Sequence, residues 1–259
     1  MNLNLEGKVA IVTGATSGIG EGIALAFARE GAIPVIIGRD AERGEEVAKK
    51  VQELSSKSFF IQAELVDPAV CHQVVDTVIQ KLGAIDILVN NAGGNDSVSL
   101  KDGSPEEFVQ SLKANLVHYF SMAHYALPHL IKTKGNIVNI GSKVANLGQG
   151  GTSGYAAAKG GIQGLTREWA FDLLQYGIRV NEVIPAEVWT SSYEKWMNRS
   201  EDPAAKLKEL VDKIPLGKRF TTVNEIADTV VFVASPLSAH TTGQHLFVDG
   251  GYTHLDRNA

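Results

Sequence analysis

Tyr155 and Lys159 stand four residues apart at the start of a run that reads as helix. On a helix that spacing puts both side chains on one face. An ammonium beside a phenol stabilises the phenolate and lowers the phenol's pKa from its ordinary value of about 10. A phenol tuned in this way exchanges a proton with an alcohol or a carbonyl near neutral pH. Ser142 follows the apolar run 136–140 and can hold the same oxygen with its hydroxyl. A surface lysine next to a partly buried tyrosine gives the same spacing, so the surrounding elements must decide.

Residues 8–13 (KVAIVT) have the β-branched apolar pattern of a buried strand. Gly14, Gly18 and Gly20 follow, then a helical pattern over 21–30. Strand, glycine-rich turn and helix together form a phosphate cradle. The glycines let the backbone approach a pyrophosphate, and the helix N-terminus offers free N–H groups. A plain tight turn without a ligand fits the same glycines. Residues 33–38 read as the second strand. At its end, where an acidic side chain would pair with the ribose of NAD, stand Gly38 and Arg39. An arginine there suits the 2′-phosphate of NADP, while Asp40 keeps NAD open.

A helix over 41–54, a strand at 58–62, a helix over 68–82 and a strand at 85–89 come next. The small residues of Asn90–Gly94 let a flat ring approach that strand's end, and Asn90 can hold the loop by bonding backbone groups. Ser104 and Pro105 begin a long helix over 105–131, with Asn115 in its interior. A polar amide there is either exposed or met by a specific partner. Further strands are expected at 136–140, 177–184 and 243–248, and helices over 154–176 and from Thr222 to Ala234. Residues 189–213, with Trp189, Tyr193 and Trp196 close in sequence, read as a small substrate lid. The alternation predicts one α/β domain, 1–259, built on a doubly wound parallel sheet flanked by helices, with right-handed crossovers.

Composition narrows the class. The chain has 259 residues, 44% of them hydrophobic and 20% charged, which is enough for a large core. A net charge of −5 lacks the basic footprint of a nucleic-acid binder. The single cysteine, Cys71, excludes an intrachain disulfide and suits a reducing compartment. No apolar run approaches the ~18 residues of a membrane span. The N-terminal stretch has no signal-peptide pattern, so a soluble, cytoplasmic protein is expected. The seven histidines show no metal spacing, and no metal is expected.

In this order, Thr13-Gly14-x-x-x-Gly18-x-Gly20, Asn90-Asn91-Ala92-Gly93, Asn115, Ser142, Tyr155-x-x-x-Lys159 and Pro185 through Thr190 resemble the short-chain dehydrogenase/reductase family over essentially the whole chain. The resemblance implies a Rossmann fold and NADP or NAD as cofactor. It implies Tyr155 as general acid/base and Ser142 as the residue orienting the reacting oxygen. Lys159 would lower the tyrosine pKa and bind the nicotinamide ribose, and Asn115 would hold a water in a proton relay to Lys159. It assigns cofactor contacts to Gly14, Thr16, Ser17, Gly18, Ile19 and Gly20 in the turn. Arg39, Glu64 and Leu65 would serve the adenosine half. Asn91, Ala92, Gly93, Pro185, Val188 and Thr190 would complete the cleft, and a homotetramer would be the assembly. Two positions depart from the pattern: Glu64 replaces an aspartate, and Ala186 replaces a glycine after Pro185. The segments NAGGND, Ser142–Tyr155, IPAEVWT and HTTGQHLFVDGGYTHLDR look most like the L-fucose dehydrogenase-like branch, which oxidises the anomeric hydroxyl of a sugar to a lactone.

Substrate residues are expected beyond the carboxyl ends of the strands. Polar side chains stand there: Asn95 and Asp96, Lys143 and Gln149, and Glu187. Unpaired buried polar groups cost about 1–3 kcal/mol each, so a fatty acyl or steroid pocket would avoid them, while a sugar would pair with them. Trp189 can stack on a pyranose face. Solvated loop residues and a packing tryptophan give the same pattern. His254 reads as a tail residue that either faces solvent or reaches a neighbouring subunit. The competing functions are the same chemistry on a 3-oxoacyl thioester or hydroxysteroid, and a dinucleotide-binding regulator without turnover.

Overall fold

Seven short apolar runs become seven parallel strands: β1 (Val9–Thr13), β2 (Ile33–Gly38), β3 (Phe59–Gln62), β4 (Ile87–Asn90), β5 (Asn136–Ile140), β6 (Arg179–Pro185) and β7 (His245–Val248). The computed structural model describes residues 2–198 and 200–255, without the side chains of Ser192, Lys195 and Trp196. The expected grouping of Trp196 with Trp189 and Tyr193 lies outside the described residues. The strand order is β3-β2-β1-β4-β5-β6-β7. The chain moves outward from β1 to β3, then returns to lay β4 on the other side of β1. That reversal opens a crevice beyond the carboxyl ends of β1 and β4, the place where such sheets bind ligands.

Helices cover both faces. α1 (Gly18–Arg29), α2 (Ala41–Gln52) and α9 (Val223–Ala234) bury Ile23, Phe27, Val47 and Val230 against one face. α3 (Pro68–Leu82) and α5 (His118–Thr133) bury Val74, Val78, Met122 and Leu130 against the other. Every residue of β1, β4 and β5 is buried, which explains why these strands read as continuous apolar runs. Local chemistry sets the helix starts. Ser104 and Glu107 form a capping box at α4 (Pro105–Leu112), and Thr222 and Glu225 form another at α9.

The long helix expected over 105–131 is not continuous. α4 and α5 are joined by a π-helical turn, Lys113–Val117. Such turns are rare and gather at functional sites. α6 (Ser153–Asp172) ends earlier than expected and is followed by a short 3-10 turn, Leu174–Tyr176. α7 (Ser191–Met197) and α8 (Pro203–Asp212) follow β6, with Met197, Leu210 and Phe220 in a small separate apolar cluster.

One row across the sheet is polar. Asn90 is in register with Asn139, Asn139 with Glu182, and Glu182 with His245. Residues in register on parallel strands face the same side, so the four side chains form a line from β4 to β7. Asn90 donates to Asn139 Oδ1 at 3.1 Å, and Asn139 donates to Thr166 of α6 at 3.0 Å.

Candidate active site

The glycine turn is held from the opposite strand. Thr13 Oγ1 accepts from the backbone N–H groups of Asn91 and Ala92 at 2.9 and 3.0 Å. The Asn91 amide donates to the Thr13 and Gly14 carbonyls at 2.9 and 3.1 Å. Asn91 therefore does the loop-holding expected of Asn90, which is fully buried and points into the polar row instead. At Gly14, with φ +63°, a β-carbon would lie 2.7 Å from Ala92 Cα. At Gly20 one would collide with the Gly14 carbonyl. Glycine is thus needed for the chain to fold this closely. Gly14→Ala is expected to weaken nucleotide binding by ~5- to 30-fold, since the left-handed backbone alone costs about 1–2 kcal/mol. Quenching of protein fluorescence by NADH or NADPH would measure the loss.

Beyond the turn lies a cleft of about 570 Å³, with Gly14, Thr16 and Ser17 at one side and Gly93, Asn115 and His118 at the other. Its size and glycine floor fit an extended dinucleotide. Arg39, Glu64 and Leu65 line the end beyond β2 and β3. Arg39 Nη1 lies 3.2 Å from Glu64 Oε2, and both side chains are exposed. Asp40 accepts from Arg43 N at 3.1 Å and so caps α2. A β-carbon on Gly38 would collide with Thr16, so no acidic side chain fits there without a shift. Ile19 is half-buried against the core at the start of α1. Pro185 ends β6, Val188 bridges to Thr221, and Thr190 is the nearest neighbour of the space above Gly18.

α6 carries Tyr155 and Lys159 one turn apart, as their spacing requires, with Ser142 just beyond β5. Lys159 is 3% exposed and its Nζ lies 5.5 Å from the centre of the Tyr155 ring. The ammonium donates to the Ile140 carbonyl at 2.8 Å and to Tyr119 Oη at 3.2 Å. Here the structure corrects an expectation. The phenol of Tyr155 is not lowered: burial pushes it up to about 12, against the pull of a hydrogen bond from Ser142, and the charge of Asp96 adds to the rise. Burial brings Lys159 down to about 8, with Glu182 opposing.

Asn115 sits within the π-helical turn and is 1% exposed. Its Oδ1 accepts from Gly94 N at 2.8 Å, and its Nδ2 donates to the Ser111 carbonyl at 3.1 Å and to Asp96 at 3.4 Å. The side chain is thus the specific partner that shapes the 93–96 loop, and it does so with all its strong contacts inside the protein. His118, which sequence reasoning passed over, is also buried at the cleft. Its Nε2 donates to the Ala114 carbonyl at 2.9 Å, Nδ1 is left as an acceptor without a partner, and burial lowers its pKa to about 4.

The expected substrate residues divide into two groups. Asn95, Asp96 and Gln149 are exposed, and the first two line the cleft. Lys143 and Glu187 are buried and pair with each other, so neither is a solvated loop residue. Tyr193 Oη donates to the other oxygen of Glu187 at 2.6 Å, and Lys143 Nζ sits 4.1 Å above the Tyr252 ring. Trp189 packs edge-on against Phe220 at 5.3 Å and remains 39% exposed. His254 is exposed, as one reading of the tail expected, and packs edge-on against Phe247 at 4.3 Å. Among the described residues no group of three or more acidic, histidine or cysteine side chains could hold a metal. No described helix is long and apolar enough to cross a membrane.

Comparison with known proteins agrees with this geometry. Residues 14–253 match the family model described as enoyl-(acyl carrier protein) reductase. The chain is 36% identical to the 3-oxoacyl-[acyl-carrier-protein] reductase FabG of Thermotoga maritima, over 96% of this chain and 99% of that protein. It is also 36% identical to the L-fucose dehydrogenase of Bos taurus, over 97% and 91%. Its structure resembles Cj0485 dehydrogenase, with a TM-score of 0.97, 45% identity, and 100% and 99% of the two chains covered. It also resembles L-sorbose reductase from Gluconobacter frateurii complexed with NADPH and L-sorbose, with a TM-score of 0.94, 27% identity, and 99% and 100% covered. The parallel sheet, its glycine-floored cleft and relatives that cover the chain almost end to end place it in the short-chain dehydrogenase/reductase family, as an oxidoreductase that works with NAD or NADP.

Proposed function

We propose that the protein oxidises a sugar hydroxyl, the anomeric hydroxyl of L-fucose or a related aldose, to a lactone. The observation that carries this reading is the buried Lys143–Glu187–Tyr193 cluster beyond β5 and β6. A carboxylate has room for about four hydrogen bonds, and the Glu187 oxygens take one each from Lys143 and Tyr193. The remaining lone pairs suit the hydroxyls of a polyol. An ammonium and a carboxylate side by side cancel, so the ligand they favour is neutral. The sugar names among the relatives support the same class.

In this reading Ser142 and Tyr155 hold the reacting oxygen, and Tyr155 in its phenolate form takes its proton as the carbon gives up hydride. The bound dinucleotide supplies the two-electron acceptor for that hydride. Lys159 places positive charge beneath the phenol, and Asn115 fixes the loop that bounds the reacting end. The segment 189–213, with α7 and α8, serves as a lid whose Trp189 face closes over the sugar. Asn95, Asp96 and Gln149 form its polar rim.

NADP is the preferred cofactor in this proposal, because Gly38 puts no acidic side chain at the end of β2, Asp40 is engaged in capping α2, and Arg39 and Arg43 stand at the pocket. Arg39→Ala is expected to lower kcat/KM with NADP by ~10-fold or more and to leave the value with NAD within about twofold, since charge-assisted hydrogen bonds contribute about 1.5–3 kcal/mol. Equal losses with both would refute the assignment. The reading also includes a cytoplasmic location and a homotetramer, the second of which light scattering on the purified protein would test.

The test of substrate is NAD(P)H production on L-fucose, D-arabinose and L-galactose, beside secondary alcohols, a hydroxysteroid and a 3-oxoacyl thioester run in reverse. Turnover confined to one sugar configuration is expected. The family description and the FabG relative favour one second reading, reduction of a 3-oxoacyl thioester by the same Ser142, Tyr155 and Lys159. Activity on the thioester with silence on every sugar would replace the first reading by the second.

A further inference from the structure

Glu182 has no part in the reaction described above, yet it is a fully buried acid in the middle of β6. Burying a charge is costly unless partners compensate. One partner is on the neighbouring strand: His245 Nδ1 meets Glu182 Oε2 at a short hydrogen bond. On the far side of the imidazole, Arg167 Nη1 lies 2.7 Å from His245 Nε2. A guanidinium only donates, so Nε2 is the acceptor and the ring proton sits on Nδ1, where it donates to Glu182. The exposed Arg167 thereby fixes the tautomer in which His245 donates to the carboxylate.

The other oxygen, Oε1, is buried with no hydrogen-bond partner. It lies against Gly141, where any β-carbon would collide with it. Gly141 joins Ile140, whose carbonyl receives Lys159, to Ser142. Among the described residues Lys159 has no carboxylate at ion-pair distance, and its direct partners are a carbonyl and the Tyr119 hydroxyl. The titratable groups that face Glu182 are His245 from β7, Lys159 from α6 and Tyr119 from α5, with Arg167 of α6 reaching it only through His245. Glu182 acts on two of them in the direction its charge requires, raising both Lys159 and Tyr119.

We propose that Glu182 is the counter-charge of Lys159: a positioning residue, held by the His245 that Arg167 orients, that keeps the buried ammonium in its charged form. It rests on the catalytic reading of Lys159 only for its consequence in turnover; the electrostatic pairing stands without it.

The sign follows from the charge. Removing a negative group lowers the pH at which the ammonium gives up its proton. Lys159 in the intact protein, labelled with 13C-lysine and identified by loss of its signal in Lys159→Ala, should titrate near pH 8. In Glu182→Gln the midpoint should fall by about one unit, equivalent to a tenfold change in the protonation equilibrium. The alkaline limb of kcat for L-fucose oxidation should fall with it, with the sugar KM within about twofold and Glu182→Asp restoring much of the limb. His245→Leu, at the sheet's edge, removes the only side-chain donor to the carboxylate among the described residues and so loosens its placement. It should move the midpoint the same way, and it keeps the test alive if Glu182→Gln does not fold. An unmoved Lys159 midpoint in either folded variant overturns the proposal. A shifted midpoint with Lys159→Ala still turning over L-fucose would leave the counter-charge standing and remove Lys159 from the catalytic reading.

Discussion

Replacing Tyr155 with phenylalanine is expected to lower kcat about 10³-fold, the middle of the range for loss of a positioned acid/base, while dinucleotide affinity stays within about twofold. Phenylalanine keeps the ring and its packing on α6 but has no oxygen to hold the substrate or take its proton. The pH dependence adds a second signature. Burial pushes the phenol up to about 12, so its phenolate form grows with pH across the whole neutral range. Lys159, at about 8, loses charge on the alkaline side. Oxidation by the parent enzyme should therefore rise from acid pH and turn over where the ammonium is lost. The residual activity of Tyr155→Phe should lack the rising limb. Steady-state kinetics from pH 6 to 10, with nucleotide binding followed by fluorescence, would measure both. Substantial turnover in this variant, or a profile parallel to the parent's, would remove the phenol from the chemistry.

Glu187→Ala should act on stability and substrate together. It leaves the Lys143 ammonium buried without its carboxylate and takes away the acceptor of the Tyr193 hydroxyl. Breaking a buried pair in this way costs about 3–5 kcal/mol, which for a chain of this size lowers Tm by about 10 °C. The sugar kcat/KM should fall ~100-fold, with nucleotide binding unchanged. A double variant, Lys143→Met with Glu187→Met, separates the two effects. Apolar residues of similar volume remove the orphan charge, so thermal stability should return while sugar turnover does not. If the double variant oxidises L-fucose normally, the cluster serves the fold alone and the polyol reading loses its support.

Much of this arrangement could be read before any coordinates, because it is written in local patterns. The buried parallel strands are continuous apolar runs. The cap at Ser104 and the glycine turn are signalled by neighbours in sequence, and Tyr155 and Lys159 meet because 3.6 residues make a helical turn. What could not be read depends on contacts between distant segments. Lys143 and Glu187 are 44 positions apart, and nothing along the chain says that they face each other. Asn90 and Asn91 are adjacent and chemically identical, and only the alternation of a strand sends the first into the sheet and the second onto the glycine turn. The tyrosine's pKa escapes a sequence reading because proximity along the chain shows the lysine but not the burial that raises the phenol. Glu182 and His118 carry no motif. A charged residue inside the strand GIRVNEVI was the available signal for the first, and the second had none.

The π-helical turn at Lys113–Val117 also bears on how this chain tolerates changes in length. In effect it stores one residue more than a continuous α-helix needs from Pro105 to Thr133. Deleting one residue there would let α4 and α5 run on as a regular helix, a locally better structure. Each residue of an α-helix advances the side chains by about 100°, so everything on one side of the deletion would swing by that angle against everything on the other. Asn115 would turn away from Gly94 and Asp96, and the loop bounding the reacting end of the cleft would lose its anchor. The shortened protein would gain helical regularity and lose its binding site, so this stretch of helix is more sensitive to a missing residue than to most exchanged ones.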